Sequence, residues 1–97
     1  MKVILSPRSE RDLEEIADFI ARDSPRSAIR FIADLRATCE KLADAPLGYE
    51  VQLQLDPSIR RAVHGRYLVF YSVNPDRVRV ERILHAARDL KDDLFDT

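Results

Sequence analysis

Twice near the start of the chain a serine is followed directly by a proline, at Ser6-Pro7 and at Ser24-Pro25. Each pair is a helix start. The serine oxygen accepts from a backbone N–H of the first turn, and proline at the first helical position gives up an N–H that would have no partner anyway. After the first pair, Leu13, Ile16, Ala17 and Ile20 fall at i, i+3, i+4 and i+7, the stripe of an amphipathic helix. After the second, Ala28, Ile32, Leu35, Cys39 and Leu42 alternate four and three apart, and Pro46 and Gly48 end the pattern. So little chain lies between the two, around Arg22 to Ser24, that the helices must run antiparallel as neighbours. At about 1.5 Å per residue each spans roughly 25 Å.

A helical hairpin with one apolar side needs something to cover, and the rest of the chain supplies a sheet. Val3, Ile4 and Leu5 read as a first strand. Residues 49–58 alternate weakly and contain Pro57, which fits a loop or an edge strand. Ile59 to His64, Tyr67 to Val73 and Val78 to His85 are strand-like, the last two joined by Asn74-Pro75-Asp76-Arg77, a sequence suited to a tight turn. The expected fold is α+β, in the order β-α-α-β-β-β, with the hairpin on one face of a small, mostly antiparallel sheet, and residues 1–97 forming one domain. Pairing Val73 with Val78 across the turn fixes the faces. Tyr67, Val69, Tyr71, Val73, Val78, Val80, Arg82 and Leu84 are expected beneath the helices. Leu68, Phe70, Ser72, Arg79, Glu81, Ile83 and His85 are expected on the far side, a half-apolar face suited to docking a partner.

Several function classes drop out on composition. The run MKVIL is too short for a signal-peptide core or a membrane span, and a single cysteine excludes an internal disulfide, so a cytoplasmic protein is expected. Two histidines and one cysteine, none in ligand spacing, predict no metal site, and Gly48 and Gly65 stand alone, so no phosphate loop and no cofactor are expected. Cys39 lies on the apolar stripe of the second helix and reads as core. Ser6, Ser9, Ser24 and Ser27 sit where helices begin and read as caps. The pairs Glu14-Glu15 and Asp92-Asp93 point about 100° apart on a helix and do not build a two-carboxylate site.

Charge is uneven. The net charge is −1, but residues 59–91 carry 8 basic against 3 acidic side chains, while residues 1–58 carry 8 against 11. The basic block admits an acidic partner, protein or nucleic acid, as well as a plain solvated strand face. Within it, Arg60, Arg61, Arg66, Arg79, Arg82 and Arg88 could hold phosphates and His85 could serve as a general acid or base, the set a metal-independent ribonuclease needs. Alternatively Arg88 and Asp89 form a local pair after the last strand, and His85 is a partly buried edge residue. The residues alone leave both open.

Two long stretches, SPRSERDLEEIADFIARDSPRSA and GRYLVFYSVNPDRVRVERILHAARDL, closely resemble the ParE branch of the ParE/RelE toxin superfamily, the ending Leu-His-Ala-Ala-Arg-Asp being the most specific part. The order of elements derived above is also the family's fold. The resemblance implies the toxin of a type II toxin–antitoxin pair serving plasmid or chromosome stabilisation, held in a protein complex by a small ParD-like antitoxin, with no membrane role and no sequence-specific DNA binding by the toxin alone. In ParE relatives the implied target is DNA gyrase. In RelE relatives the implied activity is cleavage of mRNA in the ribosomal A site.

Particular positions separate the two branches. RelE-type nucleases place an arginine on the central strand, and alignment on Val69-Phe70-Tyr71 puts Leu68 there. They also tend to carry a tyrosine or histidine in the tail, where this chain has the acidic LKDDLFDT. Only Arg88 falls where a family arginine sits, so the resemblance implies the gyrase branch, with Arg88 and Asp89 at a target-binding edge. His85 with Arg88 is the ribonuclease alternative, and a non-toxic co-repressor that only binds its antitoxin is a third. For the antitoxin, the face assignment offers Leu68, Phe70 and Ile83, with Arg60, Arg61 and Arg82 as partners for its acids.

Overall fold

The computed structural model describes residues 1–87 and Phe95. Strand β1 (Lys2–Leu5) leads into helix α1 (Pro7–Ala21), and α2 (Pro25–Lys41) follows after a short link. Both helices start as the Ser-Pro pairs require: the Ser6 hydroxyl oxygen accepts from the Ser9 N–H at 3.0 Å, and that of Ser24 from the Ser27 N–H at 3.2 Å. Helix α2 stops at Lys41, and Leu42–Asp44 continues as one 3-10 turn before Pro46. Leu42 thus stays on the buried stripe, fully covered.

Strands β2 (Glu50–Val51), β3 (Ile59–His64), β4 (Tyr67–Val73) and β5 (Arg77–His85) complete a sheet of order β1-β5-β4-β3-β2. Neighbours are antiparallel except β1, which runs parallel to β5, so the first and last strands lie side by side. The segment expected as loop or edge strand is both, a two-residue edge strand followed by loop. Gly65 and Arg66 join β3 to β4, and the positive φ of 60° falls on the glycine, which has no Cβ to oppose it. The Asn74–Arg77 turn forms as expected and pairs Val73 with Val78.

The core lies between hairpin and sheet. Leu13, Ile16, Leu35, Cys39 and Leu42 from the helical side meet Val69, Tyr71, Val78, Val80 and Ile83 from the sheet. Burial pushes the Cys39 thiol up to about 11 and the Tyr71 phenol up to about 12. Tyr71 keeps its hydroxyl satisfied by donating to the Pro46 carbonyl at 2.6 Å, which ties the loop after α2 to the central strand.

One part of the face assignment needs correction. Tyr71 pairs with Val80 but Phe70 pairs with Arg82, so Glu81 is an extra residue in β5. Past that bulge the alternation reverses. Ile83 enters the core under the helices, and Leu84 joins Leu68, Phe70 and Ile59 in a second cluster on the other side. Leu55 and Phe95 pack against that second cluster, the Phe95 ring edge-on to Phe70 with centroids 5.5 Å apart.

Candidate functional site

The β5 bulge is where helix and sheet are most tightly tied. An extra residue takes backbone groups out of the ladder, and buried groups of this kind must find partners. Helix α1 provides them. The Ser6 hydroxyl donates to the Glu81 carbonyl at 2.8 Å, and the Ser6 N–H donates to the Val80 carbonyl at 2.9 Å. Nearly two turns later Asp12, 4% exposed, accepts the Ile83 N–H at 3.0 Å and two N–H groups of Arg82, at 2.8 and 3.0 Å. The Arg82 side chain is as deeply buried as its partner. A two-pronged guanidinium–carboxylate pair with a backbone donor fills most of the lone-pair directions of the acid, which makes such a charge tolerable inside a protein. On the far face Glu81 turns to Ser72, 2.8 Å away, and to Arg79.

The second gathering of polar and aromatic groups is at the end of the sheet beyond the bulge. His64, Tyr67 and His85 are direct cross-strand neighbours on β3, β4 and β5. Tyr67 meets His85 edge-on at 5.3 Å, and Phe31 from α2 meets both Tyr67 and His64 at 5.5 Å. His64 Nδ1 is hydrogen-bonded to the Thr38 hydroxyl at 2.7 Å. His85 is exposed, and its Nδ1 accepts the Ala87 N–H at 3.1 Å. Both histidines of the chain thus flank one tyrosine. Beside them a shallow apolar groove of about 320 Å³ runs between α1 and β5, lined by Ile16, Phe19, Tyr67, Ile83 and His85 among others.

The remaining expected site residues are dispersed. Arg60 donates to the Leu47 and Tyr49 carbonyls at 3.2 and 2.6 Å, bracing the loop after α2. Arg61 is partly exposed, with Glu50 at 3.9 Å. Leu68 and Phe70 lie in the second cluster, Ile83 in the core and Arg82 in its ion pair. Phe70, Ile83 and Arg82 therefore present almost no surface. Arg88 and Asp89 lie outside the described residues. Among the described residues no group of three or more His, Cys, Asp or Glu side chains converges as a metal site would need, and no helix is long and apolar enough to cross a membrane.

Residues 3–90 match the family model of the ParE toxin of the type II toxin–antitoxin system parDE. The chain belongs to the ParE toxin family. A curated relative, Toxin ParE1 of Caulobacter vibrioides, is 31% identical over 88 residues, covering 90% of this chain and 91% of the relative. A chain in the solved structure of the chromosomal ParDE TA system from P. aeruginosa superimposes with a TM-score of 0.76, spanning 88% of this chain and 95% of its own. Identity there is 16%, so that likeness establishes the fold.

Within this ParE-family chain, the groups that sequence reasoning passed over are Asp12, Thr38 and His64. Asp12 carried a signal. It sits four residues before Ile16 and beside Leu13, an acid on the apolar stripe of α1, and an acid there calls for a buried cation. Once the Gly65-Arg66 turn is recognised, register sets His64 opposite Tyr67, while His85 joins the row only through the register beyond the bulge.

Proposed function

We propose that this chain is the toxin of a two-component pair, that it acts on DNA gyrase in the cytoplasm, and that a cognate ParD-like antitoxin neutralises it. The observation that carries the reading is the family match across residues 3–90. Two features of the chain support gyrase over a ribonuclease. Leu68 occupies the central-strand place of the nuclease arginine, and the tail LKDDLFDT is acidic, unsuited to ribosomal RNA. On this reading Arg88 and Asp89 contribute to the edge that meets the target.

The antitoxin is proposed to cover the far face of the sheet and its β3 edge. Arg61 and Arg60, both partly exposed, are the proposed partners for its acidic side chains. Leu68 and Phe70, with Leu55 and Phe95 packed over them, support that face from beneath, and Ile83 with Arg82 acts from within by holding the bulge in shape. A ribonuclease is the second reading, and the adjacency of His64, Tyr67 and His85 favours it, since two imidazoles beside a phenol can serve as acid and base.

The deciding experiment is supercoiling of relaxed plasmid by purified gyrase, with the folded protein and then with antitoxin added. Inhibition or trapped cleaved plasmid, relieved by antitoxin, is the expected result. Unaffected gyrase together with ribosome-dependent mRNA cleavage, lost on His85→Ala, would transfer the function to the second reading. Growth that continues at full expression would leave a non-toxic co-repressor.

A further inference from the structure

Both helices pack on one face of the sheet, yet the other face is closed as well. Ile59, Leu68, Phe70 and Leu84 lie there, none more than 8% exposed. Leu84 reaches this side only because of the β5 bulge. Among the described residues two side chains cover these four, Leu55 and Phe95, and they are held in different ways. Leu55 belongs to the loop between β2 and β3, which is fastened along its length. The Gln52 N–H donates to the Ile59 carbonyl at 2.8 Å, and the Gln52 carbonyl accepts the N–H groups of Leu55 and Asp56, both at 2.9 Å. The Asp56 carboxylate accepts from the N–H and the hydroxyl of Ser58 at 2.8 and 2.7 Å. Phe95 reaches the face from beyond β5, the last strand. Its ring stands at 71° to that of Phe70, the edge-to-face geometry that aromatic rings favour, and it is only partly buried.

We propose that Phe95 is a clasp, the resident occupant of the helix-free face, and that it masks an apolar patch able to take up other apolar groups when bare. Its seat is Phe70, which has no exposed surface. Beside the seat Val63, the cross-strand neighbour of Leu68, is 62% exposed, so a bared patch would join apolar surface already in solvent. Lifting the clasp leaves the main core undisturbed. Leu13, Leu35 and Cys39 lie on the opposite face of the sheet, and Leu55 keeps its own loop bonds. A cover attached at one point, over a cluster separate from the core, opens locally rather than with the whole domain. Burial of one phenylalanine side chain favours the masked state by about tenfold to a hundredfold, which makes the bare face a minor but populated state. The inference does not depend on which target the chain acts on.

The test compares the full chain with its Phe95→Ala and Phe95→Leu variants through two probes. Fluorescence of anilinonaphthalene sulfonate reports a bare apolar face, and thiol labelling of Cys39, fully covered on the other side of the sheet, reports the main core. The wild type should bind little dye. Phe95→Ala should bind at least about tenfold more, the scale of losing one buried ring, while Cys39 stays protected and the circular dichroism stays native. Phe95→Leu, which still fills the seat, should behave nearly as the wild type. Dye binding by Phe95→Ala no greater than the wild type's overturns the proposal. So does dye binding that comes together with fast labelling of Cys39, or a Phe95→Ala chain that does not fold, since Phe95 would then belong to the main core rather than close a separate face. The wild type provides an independent measurement. Nuclear Overhauser contacts between the rings of Phe95 and Phe70 are expected in solution, and their absence overturns the clasp whatever the variants do.

Discussion

Asp12→Ala tests the tie between α1 and the β5 bulge most directly. The substitution removes the carboxylate that takes two N–H groups of Arg82 and the Ile83 amide, inside a site where both side chains are under 5% exposed. Breaking a buried pair by deleting one partner typically costs about 3–5 kcal/mol, because the other charge keeps its desolvation penalty and loses its compensation. In a domain whose whole stability is about 5–15 kcal/mol this is a large share. At about 4–8 °C per kcal/mol for a chain of this size, the melting temperature should fall by roughly 12–40 °C. Urea unfolding followed by far-ultraviolet circular dichroism measures it, and exchange of the Ile83 amide should accelerate in step. Should Asp12→Ala not fold, Asp12→Leu with Arg82→Met provides the second measurement. It removes both charges and should recover most of the loss. A cost below about 1 kcal/mol for Asp12→Ala would refute the reasoning, since that is the scale of an exposed pair.

Tyr71 should remain un-ionised until about pH 12 in the folded protein, so ultraviolet titration should show this phenol ionising late. The sign follows from the raised value: its contribution to stability is complete below the ordinary tyrosine value of 10 and is lost as pH rises toward 12. Tyr71→Phe should cost about 1 kcal/mol by urea melting, from the Pro46 carbonyl left without its donor. Cys39, fully covered and with its thiol held up at about 11, should react with a thiol reagent at neutral pH only at the rate of unfolding. Fast labelling of the native protein would contradict the burial. Phe70→Asp should abolish cooperative melting rather than simply loosen a complex, because Phe70 has no exposed surface.

What could be read from the sequence was what local chemistry decides. The Ser-Pro pairs set both helix starts within a few residues, and the Asn74–Arg77 turn set the pairing of Val73 with Val78. The faces of β5 were legible only as far as Val80. Beyond it the register depends on Glu81 being extruded, and the groups that make this tolerable, Ser6 and Asp12, come from the other end of the chain. No alternation within β5 could reveal that. The same gap affected the proposed docking set. Arg82 was offered to the antitoxin even though alternation set it beneath the helices, because nothing within β5 points to Asp12 on α1, and Ile83 looked outward because strict alternation put it there. Asp12 was the legible clue, an acid on an apolar stripe. The tight turn at Gly65 likewise implied the row of His64 and Tyr67, while its third member, His85, required the register past the bulge.

The parallel pairing of β1 with β5 has a consequence for how the molecule is made. Strand β1 and helix α1 are made well before β5, yet their partners are Val80, Glu81, Arg82 and Ile83, 70 to 75 residues further along the chain. A hairpin of helices can form early, but its apolar side has no sheet to rest on until the last strand exists, and such long-range closure is slow. A growing chain therefore has no complete native sheet to present until β5 has emerged, and any surface that depends on the finished sheet forms only then. That delay leaves an interval in which the apolar side of the helices is uncovered.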